Sequence, residues 1–142
     1  MTSPSDWLLL ALAHREGRKL TPVQVQKVMF LLGKEMPKIV GADFYKFVPY
    51  NYGPFDPAIY RNLEALAERE MVLIEGAGAA RSYSVTPLGL HRAKALARDA
   101  DPKGIEYLRA VVDWAASLSF TGLVRAIYRD YPEFKENSVF SD

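Results

Sequence analysis

The chain has 142 residues, 49% of them hydrophobic and 25% charged, which suits one globular domain and excludes a disordered, collagen-like or coiled-coil chain. Its 18 Lys and Arg against 17 Asp and Glu leave a net charge of +1, so the bulk basic field of a non-specific nucleic-acid binder and the polybasic run of a membrane-surface protein are both missing. With no cysteine there is no disulfide, thiolate metal site or Cys nucleophile, and with two His no metal or other cofactor is expected.

In chain order, the first helix is expected to start at Ser5-Asp6 and end at Gly17. Its apolar stretch, Trp7 to Ala13, lacks a basic lead-in and is too short to span a bilayer. It reads as a buried helix in a cytoplasmic protein with no membrane partner.

Four further starts are marked by an oxygen-bearing residue before proline: Thr21-Pro22, Asp56-Pro57, Thr86-Pro87 and Asp101-Pro102. In each, the side chain can accept an orphan N–H of the helix start, and proline's missing donor is harmless there. In the second helix Val25, Val28, Met29, Leu32 and Met36 share a face, with Gln24, Lys27 and Glu35 off it. Ile59, Leu63, Leu66 and Ala67 do the same in the third. Met71–Ile74 and Ser82–Val85 flank a glycine-bearing tip and form a hairpin, and an extended piece at Phe44–Val48 is a candidate third strand for it. In the fifth helix Tyr107, Val111, Trp114 and Leu118 make one apolar stripe and Ile105, Leu108, Val112 and Ala116 a second, so it should be central or packed against a partner. A sixth helix starts at Ser119 or Thr121 and ends before Pro132.

Three helices followed by a two-stranded hairpin outline a winged-helix domain. The expected fold is mainly α with a small β-hairpin, a winged-helix-like α+β domain with two additional C-terminal helices. It is read as a single domain over 1–142: a core at 1–98 with its wing at 71–86, a helical pair at 102–131 and a tail at 132–142.

Three segments are candidates for function. Val48 to Pro57 holds three prolines, a glycine and three aromatics. Either Gly53-Pro54 makes a tight turn whose rings pin it to the core, or Tyr50, Tyr52, Gly53, Pro54, Phe55 and Tyr60 form an anchor patch for a protein partner. Base stacking ranks behind both, because only Lys46 supplies positive charge nearby. The second segment, 81–98, carries Arg81, Arg92, Lys94 and Arg98 with no Asp or Glu, the phosphate-facing composition of a DNA-binding wing. Against it, the third helix, which would enter the major groove, has three glutamates and two arginines over Ile59–Glu70, and 99–142 is net −3. A solvated face explains both charge segments, so DNA binding is the second choice. The third is the tail, where Tyr131, Phe134 and Phe140 either fold back or mark an association surface.

No catalytic constellation is visible. His14 and His91 sit in no metal-binding pattern, there is no nucleophile elbow or P-loop, and Gly76-Ala77-Gly78 joins two strands rather than opening a helix. His14 suits a helix C-terminus. A non-enzymatic chain is expected.

Val25-Gln26-Lys27-Val28-Met29-Phe30-Leu31 resembles the Leu-Gln-Lys-Leu-Leu-Tyr pattern of the Panacea domain, the SocA-like antitoxin group. Tyr52-Gly53-Pro54 followed by Ile59-Tyr60 resembles that family's Tyr-Gly-Pro segment, and Tyr83-Ser84-Val85-Thr86 with Gly89 its closing strand and helix start. Tyr131-Pro132-Glu133 with Asn137-Ser138 looks closer to a branch typified by the YwgA proteins. The resemblance implies a bacterial or phage-encoded domain that binds a protein partner, with a nearby-encoded toxin as the prominent case. A homodimer through the fifth helix is a further expectation.

Overall fold

The computed structural model describes residues 1–140; Ser141 and Asp142, the end of the expected tail, lie outside them. The chain is mainly helical with two small antiparallel hairpins. Helices α1 (Pro4–His14), α2 (Pro22–Glu35) and α3 (Pro37–Val40) precede a hairpin of β1 (Val48–Tyr50) and β2 (Gly53–Phe55). Then come α4 (Ala58–Glu68), the wing strands β3 (Val72–Glu75) and β4 (Ser82–Val85), and helices α5 (Pro87–Asp99), α6 (Pro102–Ala116) and α7 (Phe120–Asp130). A single turn of 3-10 helix, Pro132–Lys135, leads into the tail.

Caps account for most of the boundaries. Thr21 and Gln24 form a reciprocal capping box on α2, and Thr86, Asp101 and Ser119 each accept a backbone N–H from their helix's first turn. The expected start of the first helix is corrected. Helix α1 is capped by Ser3, not Ser5, with Pro4 in its first turn and Asp6 returning a hydrogen bond to the Ser3 N–H. Of the two candidates for the last helix, Ser119 rather than Thr121 is the cap. At α4 the cap position falls on Pro57 rather than Asp56, and Asp56, one residue ahead, accepts the Ala58 N–H at 2.9 Å while its other oxygen takes the Lys46 N–H at 2.8 Å.

The expected third strand is also corrected. Phe44 to Phe47 has no ladder; Phe44 is buried, and the Tyr45 hydroxyl donates to Asn62 Oδ1 at 2.6 Å. The rings are spent on packing against α2 and α4, and the strand begins only at Val48, pairing with Phe55 in its own hairpin. The residue that joins the wing is Leu20, between α1 and α2, which exchanges both backbone hydrogen bonds with Tyr83 at 2.8 and 2.9 Å. Apart from α3 and the β1–β2 hairpin inserted between α2 and α4, the succession of helix, bridging residue, helix, helix and hairpin follows the winged-helix order.

The core is one contiguous cluster fed by α1, α2, α4, α5, α6, α7 and the wing. Its centre is α1, where every residue from Trp7 to Leu12 is buried, because the helix is apolar all round and packs on α4, α5, α6 and β4. The centrality expected of the fifth helix, now α6, is shared: Ile105, Leu108, Val111, Val112 and Ala115 are buried, with the helix packed on α2 and α1, while Trp114 is exposed. The tail folds back. Tyr131 and Phe134 meet Phe30 edge-on at 4.9 and 4.8 Å, and the Val139 N–H donates to the Asn51 carbonyl at 3.0 Å. Among the described residues no helix is long and apolar enough to cross a membrane.

Candidate functional site

Strands of three residues are too short to hold a hairpin in water, so β1–β2 must be anchored by its surroundings. Helix α2 supplies the first anchor. Gln26 is buried, and its amide donates to the Asp56 carbonyl at 2.9 Å and accepts the Asp56 N–H at 3.0 Å, closing a two-bond clamp on the exit of the hairpin. Beside it Lys27, only 3% exposed, donates from Nζ to the Pro54 carbonyl at 3.3 Å. Apolar periodicity places Lys27 off the core face of its helix, toward solvent; the structure corrects this, because the hairpin folds over that face. The second anchor is the tail. Tyr128 donates to Ser138 Oγ at 2.7 Å, and Ser138 Oγ donates to the Asn51 carbonyl at 3.2 Å.

Clamped in this way, the hairpin forms one wall of a groove of about 580 Å³. The first turn of α2 and the side chains of Gln26 and Lys27 line its base, the wing tip at Gly78 and Ala79 closes one side, and Leu118, Ser119 and Phe120 at the α6–α7 corner close the other. Tyr50 and Tyr52 are exposed at its edge, and Phe120 is 46% exposed. The rings are ordered by one another: Tyr50 stacks on Phe55 at 4.6 Å, Phe55 leans on Tyr60 at 5.8 Å, and Tyr52 meets Phe120 edge-on at 5.0 Å.

Of the six aromatic-segment residues singled out from sequence, Tyr50, Tyr52, Gly53, Phe55 and Tyr60 line this groove. Pro54 is buried beneath it and contributes its carbonyl to Lys27. The tight turn expected at Gly53-Pro54 is corrected: the turn falls on Asn51-Tyr52, and Gly53 and Pro54 are buried strand residues of β2 paired with Tyr50 and Pro49, while Tyr50 and Tyr52 remain exposed. Gly53 has φ +107°, a conformation that disfavours any side chain, and a Cβ there would lie 3.5 Å from Lys27 Cε and 3.4 Å from a Tyr128 ring carbon.

Sequence reasoning missed Phe120, Leu118, the wing tip and, above all, the polar floor. The available signal was the adjacent pair Gln26-Lys27 inside an otherwise apolar helical run. Burial without a carboxylate alongside pushes the Lys27 pKa down to about 7. Burial raises the Tyr60 pKa, opposed by a hydrogen bond from Gln26.

Of the four basic residues of 81–98, two share a cleft. Lys94 and Arg98 line a separate cleft between α1, α5 and α6, together with Arg109 and His14, which neither Arg81 nor Arg92 lines. Arg81 is half-buried where the wing tip enters β4, its guanidinium against the Tyr83 phenol, and Arg92 is exposed. His14 sits at the end of α1 as expected, bonded through Nε2 to Asp113 Oδ1 of α6 at 2.9 Å. On α4 and just past its end the exposed charged residues are Arg61, Glu64, Glu68, Arg69 and Glu70, three acidic against two basic. No family model matches the chain, and neither a curated protein nor a solved structure matches it.

Proposed function

We propose that the chain is a non-enzymatic binding module that holds a segment of a partner protein in the groove between β1–β2, the wing tip and the α6–α7 corner. The observation that carries this reading is the convergence of exposed Tyr50, Tyr52 and Phe120, from two separate parts of the chain, on one concave and largely apolar wall. Exposed aromatic side chains cost solvation free energy unless something covers them, and Tyr and Trp dominate the energetic centres of protein interfaces. The segments that bear these rings are fixed by Gln26, Lys27 and Ser138, so little ordering entropy remains to oppose binding.

The resemblance to the Panacea domain supports a particular case: a cytoplasmic antitoxin or adapter, in a bacterial or phage-encoded system, whose partner is encoded nearby. DNA binding through Arg81, Arg92, Lys94 and Arg98 is less well supported, since only Lys94 and Arg98 share a cleft, Arg81 is half-buried, and α4 offers no net positive face.

The test is capture of the adjacent gene's product by the wild-type chain and by a Tyr52→Ala, Phe120→Ala double variant. The expected result is that the wild type captures it and the double variant does so at least about tenfold more weakly, each lost anchor being worth more than about 1 kcal/mol, with its melting temperature retained. Unchanged capture by the variant, or none by the wild type, overturns the proposal. Duplex DNA provides the contrast: affinity that falls steeply between about 50 and 200 mM salt would favour phosphate contacts instead.

A further inference from the structure

The floor of the groove is chemically unlike its walls. Lys27 is 3% exposed and, among the described residues, its one hydrogen bond is to the Pro54 carbonyl at 3.3 Å. An ammonium carries three donors, so this leaves two unanswered, and no Asp or Glu lines the groove to answer them. Its remaining titratable groups are the phenols of Tyr50, Tyr52 and Tyr60, with Tyr128 behind Gly53. A buried amine without a counter-charge is costly, and the fold keeps it where a smaller apolar residue would also fill space. Gly53 packs close to the amine, where a Cβ would stand 3.7 Å from Nζ and 3.4 Å from a Tyr128 ring carbon.

We propose that the groove receives the C-terminal end of a partner chain, with an apolar last residue against Tyr52, Phe55 and Phe120 and its α-carboxylate on Lys27. This rests on the partner-binding reading and names the chemistry of the bound segment. The charge complementarity selects an anion, and the position of the amine on the floor, beneath the aromatic rim, selects a group that enters end-on. The volume of about 580 Å³ falls within the range of pockets that enclose small ligands, enough for a chain end rather than a folded surface. Because burial holds the free amine near pH 7, pairing with a carboxylate draws a proton onto it.

The probe is the tetrapeptide acetyl-Gly-Ser-Leu-Phe with a free C-terminus, titrated against its C-terminal amide and against an amidated version ending in Glu. The expected result is binding of the free acid at least tenfold tighter than either amide, with net proton uptake at pH 8 when the titration is repeated in buffers of different ionisation enthalpy. Lys27→Met, folded as judged by circular dichroism, should bind acid and amide alike. The proton uptake is read on the wild type and does not depend on that variant folding. Equal binding of acid and plain amide, equal binding of the amidated Glu peptide, or no binding of any of the three overturns the inference. A peptide that fails while Tyr52→Ala, Phe120→Ala still abolishes partner capture removes this inference and leaves the partner-binding reading intact; a peptide that binds while capture is unaffected does the reverse.

Discussion

The two hairpins of this chain are built from opposite resources. The wing, β3–β4, has a four-residue register running from Val72 opposite Val85 to Glu75 opposite Ser82, and Leu20 adds a further pair of backbone bonds on its outer side. Its tip of Gly and Ala is exposed and makes no side-chain bond. The aromatic hairpin, β1–β2, has three residues a side, and side chains from distant elements do what its ladder cannot: Gln26 and Lys27 from beneath, Ser138 from the far end of the chain. A hairpin held by its own backbone can sit anywhere along a domain, whereas one held by side chains can hold its rings in a fixed place relative to other elements. That is the property a binding surface needs.

The largest expected difference between the two is in their response to pH. Only the aromatic hairpin rests on a buried amine. In the folded chain the Lys27 pKa is about 7, against 10.5 unfolded, so between those values the unfolded state binds more protons. Stability therefore rises with pH through that window, is lost as pH falls toward 7, and is level with respect to this group below it. Burial raises the pKa of Tyr45, Tyr60, Tyr83, Tyr107 and Tyr131, whose stabilising contribution is present below pH 10 and lost as pH climbs past it. Urea unfolding should give a wild-type stability that increases by about 3 kcal/mol from pH 7 to a maximum near pH 9.5. In Lys27→Met that rise should disappear; a rise that persists would assign it elsewhere.

On the wing side the most damaging small change is Gly89→Ala. Gly89 lies in the first turn of α5, and a Cβ there would overlap the Met71 carbonyl oxygen, which accepts the Thr86 N–H at 3.1 Å just ahead of β3. Backbone cannot yield as a side-chain tip can, and a loss of about 3 kcal/mol is expected in urea unfolding at fixed pH. A loss below about 0.5 kcal/mol would mean that the α5–β3 junction is looser than its geometry.

Gln26→Leu breaks the comparison from the other side. It removes both bonds of the clamp and leaves the part-buried Asp56 N–H unpaired, while the Asp56 carbonyl keeps the Ile59 N–H at 3.2 Å, a cost of about 2 kcal/mol. The discriminating readout is amide hydrogen exchange: protection should fall at Gly53, Phe55 and Asp56 while Leu20, Tyr83 and Val85 on the wing keep theirs. Equal losses in both hairpins would make them a single cooperative unit.

The same contrast decides what the sequence could reveal. Wing, caps and helix faces follow from local rules, periodicity of two or 3.6 and an oxygen before proline, and those elements are found within a residue or two of where the pattern places them. The aromatic segment was visible through Tyr50, Tyr52 and Gly53-Pro54 but not its partners, because Phe120 and Ser138 reach it across about half the chain. Lys27 misled for the same reason. On an isolated helix it lies off the apolar stripe; only the returning hairpin, invisible to any local pattern, buries it. Phe44 to Phe47 has the aromatic content of a strand, yet Tyr45 has Asn62 for its hydroxyl and Phe47 has Phe30 for its ring, and these tertiary contacts outweigh a ladder.

The smallest predicted effect tests the weakest anchor. Ser138 Oγ takes the Tyr128 hydroxyl, donates to the Asn51 carbonyl and accepts the Phe140 N–H at 3.0 Å, so one atom ties the tail, α7 and the tip of the aromatic hairpin. Ser138→Ala removes all three, but the site is only part-buried and water can replace the protein partners, which limits the cost to about 1 kcal/mol. The backbone bond from Val139 to Asn51 survives the substitution. The hairpin should consequently stay formed, with faster exchange confined to the Val139 and Phe140 amides and the Asn51-Tyr52 tip. Because Tyr52 then holds its position against Phe120 less firmly, binding at the groove should weaken about two- to threefold through ordering entropy rather than lost contact. A Ser138→Ala chain that binds as tightly as wild type would show that α2 alone orients the rings.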